Sequence, residues 1–324
     1  MARSIRGSLT YLALLTAVLR PGRAQAVEPK PPVSFTQQRG RAMIAIDGRP
    51  AATYVYEDKK ILRPYFAHVR TLGGIQVTRN HPPVAGKDPK DHATMHPGIW
   101  LAFGDLGGAD FWRNKARVEH ERFAARPTGG AGTGSFTVVN RYVSNGKLIC
   151  RETCTHKVVV VPNGWLLIYD STFRSDEGDF SFGDQEEMGL GVRVTTPITE
   201  KNGGVILNSD GRKTARGTWG RPADWCDYSG IVGPRRIGMT VMGAPDNFRR
   251  SWFHSRDYGL VVANPFGRKA MRKGEKSEIA VSKGRRFRIR FGVFVHGSDR
   301  RTAVDLKAAY AAFVKALDTG RRGK

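Results

Sequence analysis

Two Asn-Gly dipeptides, Asn145-Gly146 and Asn163-Gly164, separate three runs rich in β-branched and aromatic residues, at 135–143, 148–161 and 165–173. Asn-Gly tolerates the positive φ angles of a tight hairpin turn, so the three runs are expected to form an antiparallel meander. An earlier hairpin is predicted from 42–46 and 52–56 across Asp47-Gly48-Arg49-Pro50. Shorter strands are predicted at 189–195, 204–208, 238–242, 259–263 and 286–295. Short strands divided by Gly-rich turns point to an all-β sandwich or barrel and not to a parallel sheet. One Ala-rich helix is expected at 303–317, with Val304, Ala308, Ala311 or Ala312 and Phe313 on its packed face. Gly320 would end it, ahead of a basic tail at 321–324.

The N-terminus reads as a signal peptide over residues 1–26. Arg3 and Arg6 precede an apolar run at 9–19 that is too short to cross a bilayer core of about 30 Å as a helix. Ala24-Gln25-Ala26 supplies the small-x-small pattern of a cleavage site, placing the cut after Ala26. Beyond Val33 there is no Pro/Ser-rich linker, and the chain shows no internal repeat or long low-complexity run, so residues 27–324 are read as a single β-sandwich domain. No later segment is apolar and long enough to span a bilayer. No stable membrane insertion is therefore expected after cleavage, and the expected location is periplasmic or secreted.

The formal net charge is +24, falling to +20 once the four arginines of the leader are removed. Such a charge attracts anionic partners, but export and the lack of an RNA-binding or zinc-finger pattern argue against nucleic acid. Carbohydrate or anionic glycan is the expected partner. Of the three cysteines, Cys150 and Cys154 lie four apart in an alternating strand, so they share a face roughly 13 Å apart, too far to pair. Pairing of Cys226 with either is left open, and all three read most simply as small buried residues.

Two stretches of low periodicity collect polar residues, as functional loops do. Residues 63–112 hold His68, His81, His92 and His96, half of the eight histidines, along with Arg70, Asp91, Trp100, Asp105 and Trp112. Residues 247–266 hold His254, Arg256, Asp257 and Asn264. On a helix His92 and His96 would share a face. Pro97 disfavours a helical conformation at His96, and neither the zinc-protease nor the His-x-Asp iron pattern is present. No metal ligand and no cofactor is assigned. Acid–base chemistry fits better: a neutral imidazole with a pKa near 6.5 can donate or accept a proton at ambient pH. Its carboxylate partner would come from Glu186 or Glu187, only one of which would face the site if both lay in a strand.

Three segments resemble signatures of one family. They are the His92 to Asp105 run with Asp110-Phe111-Trp112; Arg256-Asp257-Tyr258-Gly259 with Asn264-Pro265-Phe266-Gly267; and Trp225-Cys226-Asp227-Tyr228-Ser229-Gly230. The sequence is similar in these segments to the PmoA-like proteins, a family carrying a methane-oxygenase label. It departs from them at Met95-His96-Pro97, where many members have adjacent histidines. The resemblance implies a galactose-mutarotase-like supersandwich, a fold that binds carbohydrate and uses His and Glu as acid and base.

The expected protein is therefore an exported, carbohydrate-active, large antiparallel β-sandwich with a C-terminal helix. His96 and His254 are its expected acid and base and Glu187 their carboxylate. Arg70 and Arg256 would be anchors, and Trp100 with Trp112 a stacking platform. His92, Asp105, Asp257 and Asn264 would complete substrate binding. The alternatives are a non-catalytic glycan-binding module and a metal-dependent oxygenase.

Overall fold

A computed structural model describes Met1 and residues 30–318. The remainder of the expected signal peptide, Gly320 and the basic tail lie outside the described residues. In chain order the strands are β1 (Val33–Gln38), β2 (Arg41–Ile46), β3 (Arg49–Val55), β4 (Tyr65–Ala67), β5 (Ile99–Phe103) and β6 (Arg117–Gly130). They continue as β7 (Thr133–Ser144), β8 (Lys147–Val161), β9 (Gly164–Arg174), β10 (Phe180–Phe182), β11 (Met188–Arg193) and β12 (Val205–Asn208). The last six are β13 (Trp225–Val232), β14 (Arg235–Gly243), β15 (Trp252–Arg256), β16 (Leu260–Asn264), β17 (Ile279–Val281) and β18 (Phe287–Asp299). Two helices, α1 (Thr214–Thr218) and α2 (Leu306–Asp318), complete the order.

One eight-stranded sheet runs β1-β2-β3-β4-β5-β11-β16-β15, and a second runs β12-β13-β14-β18-β9-β8-β7-β6. β10 and β17 form a small ribbon. The pairings are antiparallel, and the inner faces of both sheets share one apolar core that includes Ile44, Phe66, Leu101 and Val192 from the first and Phe136, Val158, Leu167 and Val293 from the second. This is the large antiparallel sandwich expected. The predicted meander is β7-β8-β9, turning at Asn145 (φ 50°) and Gly146 (φ 74°) and again at Asn163 (φ 64°).

β8 shows why the pattern was readable. Cys150, Glu152, Cys154, His156, Val158 and Val160 point inward and are buried, while Arg151 and Thr153 alternate outward. Glu152 is tolerated in the core because it accepts hydrogen bonds from Asn140, Tyr142 and Ser171 at 3.0, 3.3 and 2.6 Å. All three cysteines are free and buried, in keeping with their reading as small core residues.

β5 and β15 fall in the two stretches read as loops, and this is a correction. Every residue of β5 and the first four of β15 are buried, because the inner core covers one face and irregular segments cover the other. A strand covered on both sides has no reason to alternate, so its signal disappears. The helix is also rotated from its expected face. Ala309, Phe313 and Leu317 are its buried residues and Ala308 is exposed. Phe313 seats over Gly292 of β18, where a Cβ would lie 2.7 Å from the ring.

Candidate functional site

The outward face of the first sheet carries most of the polar residues picked out from sequence. Cross-strand register aligns Trp100 of β5, Gly191 of β11, Val262 of β16 and His254 of β15 in one row. A second row aligns Arg193, Leu260 and Arg256.

Over β5 and β11, residues 91–96 form a turn closed by the His96 N–H donating to the His92 carbonyl at 2.9 Å. That bond is a single helical turn, so Pro97 does not keep the two histidines apart as the sequence suggested. Their rings stack at 4.7 Å and 17°. His96 in turn stacks on Trp100 (5.0 Å, 13°), and Tyr258 covers His92 (5.8 Å, 16°). His92, His96 and Trp100 thus form one column of near-parallel rings, with Tyr258 beside it, 5.8 Å from His92 and 6.5 Å from His96. Gly191 makes the column possible: a Cβ there would lie 2.8 Å from the Trp100 ring and 3.0 Å from Trp112.

Charge is arranged around this column. Asp91 receives a bidentate pair of hydrogen bonds from Arg193 at 2.8 and 3.0 Å, and its other partners are Arg79 at 3.5 Å and Nδ1 of His92 at 3.0 Å. Burial opposes ionisation, yet the hydrogen bonds from Arg193 and His92 and the charges of Arg193 and Arg79 hold the Asp91 carboxyl far below its usual range. Nδ1 of His92 therefore donates to a permanent carboxylate, leaving Nε2 as the basic nitrogen. The His92 side chain is 40% exposed. His92 also has a positive φ of 51°, a backbone strain of the kind that gathers at functional sites.

His96 is different. It is 3% exposed, and its Nδ1 faces an N–H of Arg193 at 3.4 Å. Burial, then Arg193 and His92, push its pKa well below the ordinary value. His254, 2% exposed, is pushed down to about 3 by burial and then by Arg256, against a smaller pull from the Glu186 backbone. Both imidazoles are thus neutral near neutral pH and closed to solvent, whereas His92, paired with Asp91, is the exposed one.

Glu187 pairs with Arg113. Glu186 is the carboxylate at the second cluster, 3.7 Å from Nδ1 of His254 and 3.1 Å from Arg256. Both glutamates precede β11 in irregular backbone, so strand alternation never applied. Trp100 and Trp112 are 0% and 1% exposed and floor the site from beneath, so no sugar can stack on them. Asn264 is fully buried with its amide spent internally. It donates to the Gln185 and Glu186 carbonyls at 2.7 and 2.9 Å and accepts from the Phe266 and Gly267 N–H groups at 2.8 and 2.9 Å.

Arg70 lies elsewhere, bonded to the Gly74 carbonyl and the Gln76 side chain at 2.9 and 3.2 Å. Asp105 faces Gly183, whose Cβ position is only 2.0 Å from its carboxylate. Arg256 and Asp257 line an open groove of about 630 Å³ with Trp219, Arg216, Lys201 and Ser255. Arg256 stands 6.0 Å over the Trp219 ring. The same segment continues into Tyr258, which covers His92. Arg193 and Tyr258 were missed from sequence as site residues, and Trp219, one of the tryptophans able to stack on a sugar, was passed over for Trp100 and Trp112. Arg193 had a usable signal, since it ends the otherwise apolar run Met188-Gly-Leu-Gly-Val192.

Fold and site together define a two-sheet antiparallel β-sandwich bearing a histidine–carboxylate cluster on the outer face of one sheet. The chain belongs to a family of unknown function, DUF6807, whose model matches residues 41–311. A comparison with curated proteins finds no match. Among solved structures it is similar to a galactose mutarotase-like protein from Lactobacillus casei, with 8% identity, 82% of this chain and 100% of that one covered, and a TM-score of 0.39. It is also similar to a galactose mutarotase related enzyme from Lactobacillus acidophilus, with 10% identity, 84% and 100% covered, and a TM-score of 0.35. A third similarity is to a chain described as a kojibiose phosphorylase from the human microbiome, at 8% identity and a TM-score of 0.36. It covers 88% of this chain, which spans only 33% of that one. Likenesses this distant carry no weight for chemistry.

Proposed function

We propose that this protein is exported and performs acid–base chemistry on a carbohydrate, with His92 as the proton-transfer group and Asp91 as the carboxylate that orients it. The observation that carries this reading is the 3.0 Å contact between Nδ1 of His92 and Asp91 on an imidazole side chain that is 40% exposed. A carboxylate that cannot be protonated near neutral pH orients the imidazole and fixes its tautomer. The sugar is supported by the adjoining groove. A half-buried tryptophan, two arginines and the two carboxylates of Glu200 and Asp257, lining about 630 Å³, suit a polar ring with one apolar face.

The test is a panel of reducing sugars and short glycans, followed by NMR for anomer or epimer exchange and by chromatography for cleavage. Turnover should fall by about 10²–10⁴-fold in His92→Ala. Turnover that survives His92→Ala unchanged sinks the assignment. The burial of His96 and His254 favours a second reading, a glycan-binding module without turnover. Under that reading a glycan raises the Tm, Trp219→Ala abolishes the rise, and no product forms. Export is tested by N-terminal sequencing of protein secreted from a Gram-negative host. A mature chain starting at Val27 is expected, and retention of residues 1–26 refutes it.

A further inference from the structure

The outward face of the second sheet is divided. At one end α2 covers Leu166, Ile168 and Phe294. At the other end no element among the described residues covers it, and the sheet register lines up Arg141 of β7, Arg151 of β8 and Arg174 of β9 directly opposite one another. Like charges in facing positions on neighbouring strands, about 4.8 Å apart, work against the sheet that holds them. Carboxylates only partly relieve this. Glu119 reaches Arg141 at 3.3 Å, Glu121 is shared between Arg151 and Arg122 at 3.0 Å each, and Asp176 meets Arg174 at 2.6 Å. The next row along the strands reads Arg122, Val139, Thr153, Thr172 and Arg288. Arg122, Arg151, Arg174 and Arg286 line a trough of about 500 Å³ floored by Val139, Thr153 and Thr172. Arg286 makes no ion pair among the described residues.

We propose that this trough binds a linear anionic polysaccharide, one bearing sulfate or carboxylate groups, laid across the strands along the arginine ladder. Guanidinium groups repeated at the strand spacing match an anion repeated along a polymer, and each can grip a carboxylate or sulfate with two N–H groups. The threonine hydroxyls between them suit sugar hydroxyls. Nucleic acid is disfavoured because no aromatic side chain in the trough can stack a base. A membrane surface is disfavoured because, among the described residues, none of the exposed large apolar side chains, Met1, Met43, Val84, Val205 and Phe248, lies on these strands. The trough is on the opposite sheet from His92, so it is a second site and stands whether or not the acid–base reading does.

The experiment measures binding of the full chain to heparin, to polygalacturonate, to neutral dextran, to a duplex oligonucleotide and to phosphatidylglycerol vesicles. Because the whole protein is basic, the ladder variant Arg151→Thr/Arg174→Thr is compared with Lys59→Ser/Lys60→Ser, which removes equal charge from an exposed loop. Expected is at least a tenfold loss of affinity for one of the two anionic glycans in the ladder variant, less than threefold in the loop variant, and no binding to dextran. Equal losses in the two variants overturn the proposal, as does tighter binding of the duplex or the vesicles. Should the ladder variant fail to fold by circular dichroism, Arg122→Ser/Arg286→Ser probes the rim of the same trough and is held to the same thresholds.

Discussion

His92 and His96 stack 4.7 Å apart with nearly parallel planes, yet the Nδ1 of one meets a carboxylate and the Nδ1 of the other meets a guanidinium. Asp91 and Arg193 are the groups responsible, and they are bound to each other. One ion pair therefore gives two touching imidazoles opposite surroundings. The exposed one is oriented by a carboxylate at Nδ1, and the buried one is held neutral as its floor.

Asp91→Asn should destabilise the fold. It removes the counter-charge of Arg193, which is 1% exposed, and of Arg79, which burial and then Arg193 already hold down at a pKa of about 10. Removing one partner of a fully buried pair costs about 3–5 kcal/mol. With Asp91 a third exposed, about 2 kcal/mol is expected, read from urea midpoints at unchanged m-value.

Stability should fall as pH drops from about 6.5 towards 4. Burial lowers the pKa of His81 to about 4, and burial lowers His156 and His254 to about 3. The unfolded chain, with ordinary imidazoles, takes up these protons first, so acid favours unfolding across that window, and the stability is fully present above it. Each fully buried imidazole contributes on the order of 1–3 kcal/mol at the acid end. His156 sits among Tyr54, Phe66, Phe136 and Tyr169. His156→Phe should flatten the pH dependence of Tm, and an unchanged slope would contradict this account.

Gly191→Ala should cost about 1–3 kcal/mol, since the new methyl meets two indole rings that have nowhere to go. Tryptophan fluorescence should shift to the red as Trp100 and Trp112 loosen. A variant with wild-type Tm and emission would show that the ring column tolerates displacement.

Asn264→Ala should cost about 2–4 kcal/mol, leaving buried N–H and carbonyl groups without partners. It should also free the Gln185–Glu186 backbone, so that glycan binding at the groove weakens through a displaced Arg256–Glu186 pair. Unimpaired glycan binding, with only the stability loss, would limit Asn264 to a structural part.

Histidines 92 and 96 were visible in the sequence as candidates, but their division of labour was not. The i, i+4 spacing contained the stack, while the roles came from Asp91 and Arg193, 102 residues apart in the chain. Glu187 and Glu186 were indistinguishable until Arg113 took one and Arg256 the other.

Local chemistry alone determined the meander. Asn-Gly turns and the alternation of β8 are properties of neighbouring residues, and they hold whatever the rest of the chain does. Tertiary structure decided which face of each element is covered. It hid β5 and β15 by burying both their faces, rotated α2 onto Gly292, and put Trp100 beneath His96 instead of in solvent. Burial is set by segments distant in sequence, and it is burial that holds His96 and His254 neutral while His92 stays exposed.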